Sequence, residues 1–202
     1  MPLWRAADPL LLASKSSARR ALLSAAGIPI AVKPAELDER AAEAGAPSRR
    51  PDAVAAWLAR QKALLVERRE PGRLVLGADQ TLSLDGERFA KPSDRAAARA
   101  QLMALCGRSH ELHSAAVLAQ NGTVLFETVS TARLTMRAFS DQFLDLYLDA
   151  AGGAATESVG AYQIEALGIQ LFERLDGDYF AILGLPLLEI LHFLRRHGCL
   201  LP

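Results

Sequence analysis

The sequence predicts an α/β protein built on a mixed sheet, and three observations carry that prediction. Apolar runs of strand length alternate with segments of helical periodicity. The pairs Asp85-Gly86, Asn121-Gly122 and Asp176-Gly177 stand between β-like runs, and each can join two antiparallel strands. Capped helices lie between these hairpins, and helical crossovers are what parallel strands require. Hairpins and crossovers in one chain give a sheet with both kinds of pairing.

The elements follow in order. Leu10 to Ala13 reads as the first buried strand; despite the arginines around it, this patch is too short for a secretory core. Ser16 or Ser17 caps a helix that runs through Leu22 and Leu23 and stops at Gly27. Ile28 to Val32 is β-prone, Glu36 to Arg40 is an acidic loop, and Arg40 to Pro51, rich in Ala, Pro and Arg, is a surface loop. From Pro51 a helix carries Val54, Trp57, Leu58 and Leu65 at helical spacing and ends near Pro71-Gly72. The run Leu74 to Ala78 is a buried strand that delivers Asp79 and Gln80. Further helices are capped at Ser93 (ending at Gly107) and Ser140 (ending near Gly152), and the last begins around Pro186 and ends at Gly198.

Composition limits the function classes. A chain of 202 residues, half of them hydrophobic, suits one domain with a sizeable core. Its 23 basic and 23 acidic residues cancel, which argues against a nucleic-acid surface but leaves room for a small phosphate pocket. Cys106 and Cys199 fit no metal-ligand spacing and read as reduced thiols of a cytosolic protein. No apolar run reaches the length that spans a bilayer as a helix.

Three stretches can carry chemistry. In Ala13-Ser14-Lys15-Ser16-Ser17-Ala18-Arg19-Arg20, a strand feeds hydroxyls and a helix start bearing two arginines. Free N–H groups, the helix dipole and a guanidinium fork would cradle a phosphate, although the glycines of a P-loop are missing. The bland alternative is a capped helix with surface arginines.

The second stretch centres on Asp79, which is either a strand-end cap or a mounted functional carboxylate. A three-residue loop over Asp85 to Glu87 would pair Thr81 with Lys91 and put Lys91 on Asp79's face, about 7–8 Å away at Cβ. A two-residue turn would pair Gln80 with Lys91 instead, on the other face. The three-residue loop is the expected one, with Lys91 keeping Asp79 ionised.

The third stretch, Gly160 to Gly168 with Leu171 to Tyr179 and Gly184-Leu185-Pro186, is dense in glycine and aromatics. It suggests close approach to a flat ligand or to another backbone. His110-Glu111-Leu112-His113 lacks the i, i+4 spacing of a zinc helix, and His192 and His197 fall on the last helix.

Together these segments resemble the Maf family of nucleoside triphosphate pyrophosphatases, also called septum formation inhibitor proteins. The resemblance covers nearly the whole chain. It rests on Leu12-Ala13-Ser14-x-Ser16-x-x-Arg19-Arg20, Leu37-Asp38-Glu39, Leu58-Ala59-x-x-Lys62-Ala63, Gly77-Ala78-Asp79-Gln80, Asp85-Gly86-Glu87 with Lys91-Pro92, Gly107-Arg108-Ser109-His110, Gly160-Ala161-Tyr162 with Leu167-Gly168, and Gly184-Leu185-Pro186-Leu187.

The resemblance implies a Maf/ITPase-like fold, with a long mixed central sheet, flanking helices and a two-lobed cleft. It also implies a cytosolic homodimer dependent on a divalent cation, Mg²⁺ or Mn²⁺. Hydrolysis would fall between the α- and β-phosphates of a nucleoside triphosphate. Ser14, Ser16, Arg19, Lys62 and Lys91 would bind the phosphates. Glu39 and Asp79 would form the acidic, metal-binding centre, with Asp79 as general base.

Ala18, Gln80 and Glu165 bear on the base. Gln80 and Glu165 look like the branch similar to the 7-methyl-GTP pyrophosphatases, since the thymidine/uridine branch has Thr and Gln there. A carboxylate accepts and cannot donate, so Glu165 suits the N–H donors of guanine and opposes the O4 acceptor of uracil or thymine. An ordinary salt bridge is its other reading. The rivals are a dTTP/UTP pyrophosphatase of the same family, a non-catalytic nucleotide-binding regulator of cell division, and a house-cleaning enzyme for deaminated purines.

Overall fold

In the computed structural model, which describes residues 3–202, three long strands organise everything else. They are β3 (Val75–Leu84), β5 (Ser109–Gln120) and β6 (Thr123–Met136), paired antiparallel. The short strands β1 (Leu10–Leu12) and β2 (Ile30–Val32) add to one side as parallel neighbours, and β7 (Phe172–Asp176) closes the other. The sheet order is β2-β1-β3-β5-β6-β7, with β4 (Glu87–Phe89) also on β3. The mixed sheet predicted from sequence is therefore present.

Eight α-helices flank the sheet among the described residues: α1 (Ser17–Ala25), α2 (Glu39–Ala44), α3 (Pro51–Arg69), α4 (Arg95–Leu105), α5 (Asp141–Ala151), α6 (Ala154–Glu157), α7 (Tyr179–Ile182) and α8 (Leu187–Arg196). Most begin on a side-chain cap, which satisfies amides the helix itself leaves unbonded. Ser16, Asp38, Asp94, Ser140 and Asp178 each accept a backbone N–H from the first turn of their helix.

The local expectations need four corrections. Asp38 caps α2, so part of the segment expected to be loop from Arg40 onward is helical. Asp94 rather than Ser93 caps α4. Asp176-Gly177 makes no hairpin, because Asp178 caps α7 immediately after it. The Asp85-Gly86 turn has two residues, both at positive φ (52° and 85°), with Leu84 opposite Glu87. Positive φ at both positions is the type I′ geometry whose twist suits a two-residue hairpin, so this turn excludes the three-residue loop.

Strand alternation sorts β3 into two faces. One face carries Leu76, Ala78, Gln80, Leu82 and Leu84, and on β5 Leu118, Ala116, Ser114 and Leu112 lie opposite. Two apolar clusters share this face. One gathers Leu76, Ala78, Ala116 and Leu118 with α1 and α8, and the other gathers Leu82, Leu84 and Leu112 with α4 and α5. The polar pair Gln80 and Ser114 sits at the seam between the two clusters.

The opposite face meets α3. Gly77 lies on it, where an added Cβ would stand 2.2 Å from the Ala59 carbonyl oxygen and 2.6 Å from the Ala63 nitrogen. Ala55, Ala59 and Ala63 meet Ala115, Val117 and Ala119 there, so small residues on both elements permit a close approach. Gly77→Ala is expected to force helix and strand apart and lower stability by about 2–3 kcal/mol. The check is the urea midpoint of the variant against the parent, with circular dichroism to confirm that the variant folds.

Candidate active site

Close packing of α3 on β3 brings Lys62 to Asp79. The Lys62 Nζ is 2.6 Å from Asp79 Oδ1 and 2.6 Å from Glu39 Oε1, so one ammonium is shared by two carboxylates. Asp79 and Lys62 are only 7% and 8% exposed, whereas the Glu39 side chain is 55% exposed. Glu39 comes from the first turn of α2 and reaches in from solvent. The Lys62 helix position is sheet-facing because it falls between Ala59 and Ala63 on the buried side of α3.

The site lies where β3 has an open edge. β1 pairs with Val75 and Leu76, and β4 pairs with Leu82 to Leu84 on the same side of the strand. Between them, Gly77 to Thr81 have no strand on that side, while β5 pairs along the whole of the other. The chain leaving β1 and the chain leaving β4 both arrive at this gap. Ligands of open α/β sheets collect in such places, where strand connections diverge.

Ser14 and Arg19 occupy the β1 side of the gap. The Arg19 guanidinium donates through Nη1 to the Ala78 carbonyl (2.9 Å) and to Ser14 Oγ (3.1 Å), and through Nε to the Gly184 carbonyl (2.8 Å). Nη2 makes no bond within the described residues and is not sealed from solvent, so it remains available to an anion. Ser14 Oγ also accepts from the Ser16 amide, and its own proton is uncommitted. Ser16 is the α1 cap, with Oγ accepting from the Arg19 amide at 3.3 Å, and the half-buried Ala18 follows on α1. The helix is capped at Ser16, but Arg19 is buried and turned to the β3 edge, and of the two arginines Arg20 alone is exposed.

Lys91 is not where the three-residue loop would have put it. The observed two-residue turn rules out the Thr81–Lys91 pairing: β4 ends at Phe89, opposite Leu82, and Lys91 lies beyond the strand and is exposed. The cation beside Asp79 is Lys62 instead. The same register puts Arg88 opposite Ser83 and so on Asp79's face. Arg88 bonds both oxygens of Glu43 at 2.8 and 3.2 Å. Sequence reasoning missed Arg88, although the Asp-Gly pair carried the parity that would have found it.

Gln80 lies on the seam face. Its Nε2 donates to Ser114 Oγ (2.9 Å), the Ile182 carbonyl (3.1 Å) and the Ala181 carbonyl (3.2 Å), and Ser114 also donates to Ala181 (2.6 Å). Gln80 thus fastens α7 to the sheet, and Gly184, two residues beyond α7, supplies the carbonyl that orients Arg19.

Glu165 is exposed, and no hydrogen bond or ion pair among the described residues joins it to Asp79, Gln80 or any cation. The salt-bridge reading of Glu165 is not realised. The glycine-rich stretch packs against its own chain: a Cβ on Gly168 would stand 2.4 Å from the Gln163 carbonyl oxygen, and one on Gly160 2.6 Å from Leu82. His110 and His113 lie on opposite faces of β5, which removes any shared metal. His110 bonds the Tyr162 hydroxyl (2.7 Å), and His113 bonds Ser83 and Thr131 (3.1 and 3.0 Å).

Burial raises the Asp79 carboxyl above the ordinary carboxylate value, against the opposing pull of Lys62 and Arg19 and with a further push from Glu39. The donor set suits a hard divalent cation, since the two carboxylates converge on a single point of positive charge. Among the described residues no third acidic, His or Cys group joins them, so substrate and water would have to complete the coordination.

The Maf-like protein family matches residues 9–197 of this chain. A nucleoside triphosphate pyrophosphatase of Rhodopseudomonas palustris (strain HaA2) is 54% identical over 200 residues, 99% of each chain. One from Nitrobacter winogradskyi is 51% identical over the same length and coverage. A 7-methyl-GTP pyrophosphatase of Brucella abortus biovar 1 is 50% identical over 196 residues, 95% of this chain and 97% of the relative. A looser likeness, with a TM-score of 0.41 and 17% identity over 63% of this chain and 72% of the other, is to the structure of a HAM1 protein from Coxiella burnetii.

The raised Asp79 value has a consequence for stability. Between the ordinary carboxylate range and the raised midpoint, folded Asp79 keeps a proton that the unfolded chain has released. The folded state then binds more protons, so Asp79's contribution to stability declines as pH climbs through that window. Urea midpoints measured across that window are expected to fall for the parent relative to Asp79→Asn as pH rises. Carboxyl-carbon NMR of metal-free protein should place the Asp79 midpoint above the ordinary value, and Lys62→Met should move it higher still. A midpoint at or below the ordinary value would contradict the burial account.

Proposed function

The chain belongs to the Maf-like protein family, and from that premise we propose that it is a nucleoside triphosphate pyrophosphatase, releasing a nucleoside monophosphate and pyrophosphate. The observation that carries the chemistry is the buried Asp79 carboxylate at the open edge of β3, with Lys62 shared between it and Glu39. No helix among the described residues is long and apolar enough to cross a membrane.

Hydrolysis of a phosphoanhydride needs neutralisation of phosphate charge, a positioned water and an acceptor for its proton. Arg19 and Lys62 supply positive charge, and Ser14 supplies a hydroxyl donor. Asp79 accepts the proton of the attacking water, and a value raised by burial makes it a better base than an exposed aspartate. As the phosphates arrive, Lys62 exchanges its two carboxylates for phosphate oxygens, which frees Asp79 and Glu39. Those two residues would hold Mg²⁺ or Mn²⁺, a cation that neutralises phosphate charge when bound. Lys91, exposed two residues past β4, joins the phosphate-binding set by turning its side chain toward the substrate.

For the base, we propose a guanine-type ring such as 7-methylguanine. The Brucella relative's name supports this, as does Glu165, a carboxylate with no partner of its own among the described residues. Gln80 contributes by fixing α7 at the seam, and Ala18 by leaving space on α1. A homodimer belongs to the same proposal, and light scattering of the purified protein tests it.

Asp79→Asn is expected to lower the rate of pyrophosphate release by at least about a hundredfold while leaving nucleotide binding measurable. Assays of 7-methyl-GTP, dTTP, UTP, CTP and ITP with added metal identify the base. The expected order places 7-methyl-GTP first, with Glu165→Gln eroding that preference. A parent enzyme that prefers dTTP or UTP would refute the guanine reading, and undiminished release by Asp79→Asn would refute the role of Asp79.

A further inference from the structure

Arg88 and Glu43 stand outside the residues assigned so far, yet they share the face and the cover of the Asp79 site. Register with Ser83 fixes Arg88 on Asp79's side of the sheet. The Asp79 charge also reaches it: the Arg88 guanidinium is held above its ordinary value first by hydrogen bonding to Glu43 and then, more weakly, by the charges of Glu43 and Asp79. Arg88 is partly buried, with a side chain 24% exposed, and both of its bonded nitrogens are aimed at one carboxylate.

That carboxylate belongs to α2, the six-residue helix that also carries Glu39 one turn earlier. α2 buries none of its residues. A buried large apolar side chain contributes about 1.5–3 kcal/mol, and α2 lacks even one, so polar tethers must hold it in place. They are Glu39 on Lys62, Glu43 on Arg88, Arg49 on the Glu43 carbonyl and Trp57 Nε1 on the Ala42 carbonyl. Water reaches the Glu39 end of one pair (55% exposed) and part of the other (24% and 29%), so solvent compensates some of the cost of opening them. A six-residue helix released from its tethers has no independent stability.

The two ion pairs have a common logic. In the absence of substrate, each α2 carboxylate neutralises a basic group that faces the site. A guanidinium binds carboxylate and phosphate through the same bidentate fork, so Glu43 occupies Arg88 as a phosphate would. We propose that Arg88 is a further phosphate-binding residue of this site and that Glu43 is the anion substrate displaces from it. The proposal rests on the pyrophosphatase reading for the identity of that anion, the di- or triphosphate moiety. Because one short helix carries both carboxylates, release of Glu43 from Arg88 is coupled to the exchange of Glu39 off Lys62, where it stays at hand for the cation, and Lys62 and Arg88 become available in one step.

Calorimetric titration with inorganic pyrophosphate in the presence of Mg²⁺ tests this without relying on turnover. Arg88→Met is expected to weaken pyrophosphate binding about tenfold or more, and Arg88→Lys by less. Glu43→Gln removes the competing charge and is expected to tighten binding about threefold. A pair that merely braces α2 predicts the same sign for both positions, so weakening by Glu43→Gln comparable to that of Arg88→Met would overturn the proposal. So would parent-like binding by Arg88→Met in a variant whose thermal unfolding shows it folded. If the parent binds pyrophosphate through Arg88 but hydrolyses no triphosphate, the pyrophosphatase reading fails and the Arg88 assignment stands.

Discussion

One ammonium shared by two carboxylates is the interaction on which the site depends. Asp79 is buried, and a buried carboxylate is tolerated only with a partner that returns what it loses in hydration. Lys62 is that partner, and it reaches Asp79 because α3 lies almost against the backbone of β3. Gly77, two residues before Asp79 on the same face, makes this possible, since no side chain with a Cβ fits between the strand and Ala59. The alanines at 55, 59 and 63 complete the contact from the helix side. Close packing of a helix on a strand is thus the mechanical cause of an electrostatic arrangement.

The formal charges of that arrangement cancel. Arg19, Lys62 and Arg88 stand against Asp79, Glu39 and Glu43; Lys62 pairs with two of the carboxylates, Arg88 with the third, and Arg19 bonds neutral oxygens. A polyphosphate arriving at such a site adds negative charge to a neutral set. It is accommodated when Glu43 withdraws from Arg88, when a divalent cation takes up Asp79 and Glu39, or by both together. The open edge of β3 between β1 and β4 gives it a place to enter. Neither strand alone defines the gap; its width follows from β1 ending at Leu12 and β4 ending at Phe89.

Much of this was legible in the sequence, and the failures have specific causes. The mixed sheet, the Pro51 helix and the Ser16 cap follow from periodicity and capping chemistry; Asp79 was expected where a buried strand ends, and β3 instead runs on through it to Leu84. The basic residue across the hairpin was misassigned, because parity was counted over three residues instead of two. Asp-Gly at positive φ at both positions demands the shorter turn, and that choice exchanges Lys91 for Arg88 on the functional face. The Lys62 contact was visible only as a lysine set among alanines at helical spacing. Its meaning required knowing that Gly77 lay beneath it. α2 was read as loop because six residues without a buried face leave no periodic signal.

The alternation of a single strand explains why neighbouring residues serve such different ends. Asp79 and Gln80 are adjacent in sequence but point to opposite faces of β3. On one face the carboxylate joins Lys62, Glu39 and the Arg88 side of the sheet. On the other, the amide fastens α7 across the seam between the two apolar clusters and so fixes the path to Gly184. Gly184 in turn orients Arg19, which bonds the Ala78 carbonyl on the open edge of β3 itself. The loop closes on the strand where it began. A change at Gln80 therefore reaches the phosphate site by way of α7, Gly184 and Arg19, whether or not Gln80 touches the base. The guanidinium at the open edge is thus held in part by an amide on the opposite face of the same strand.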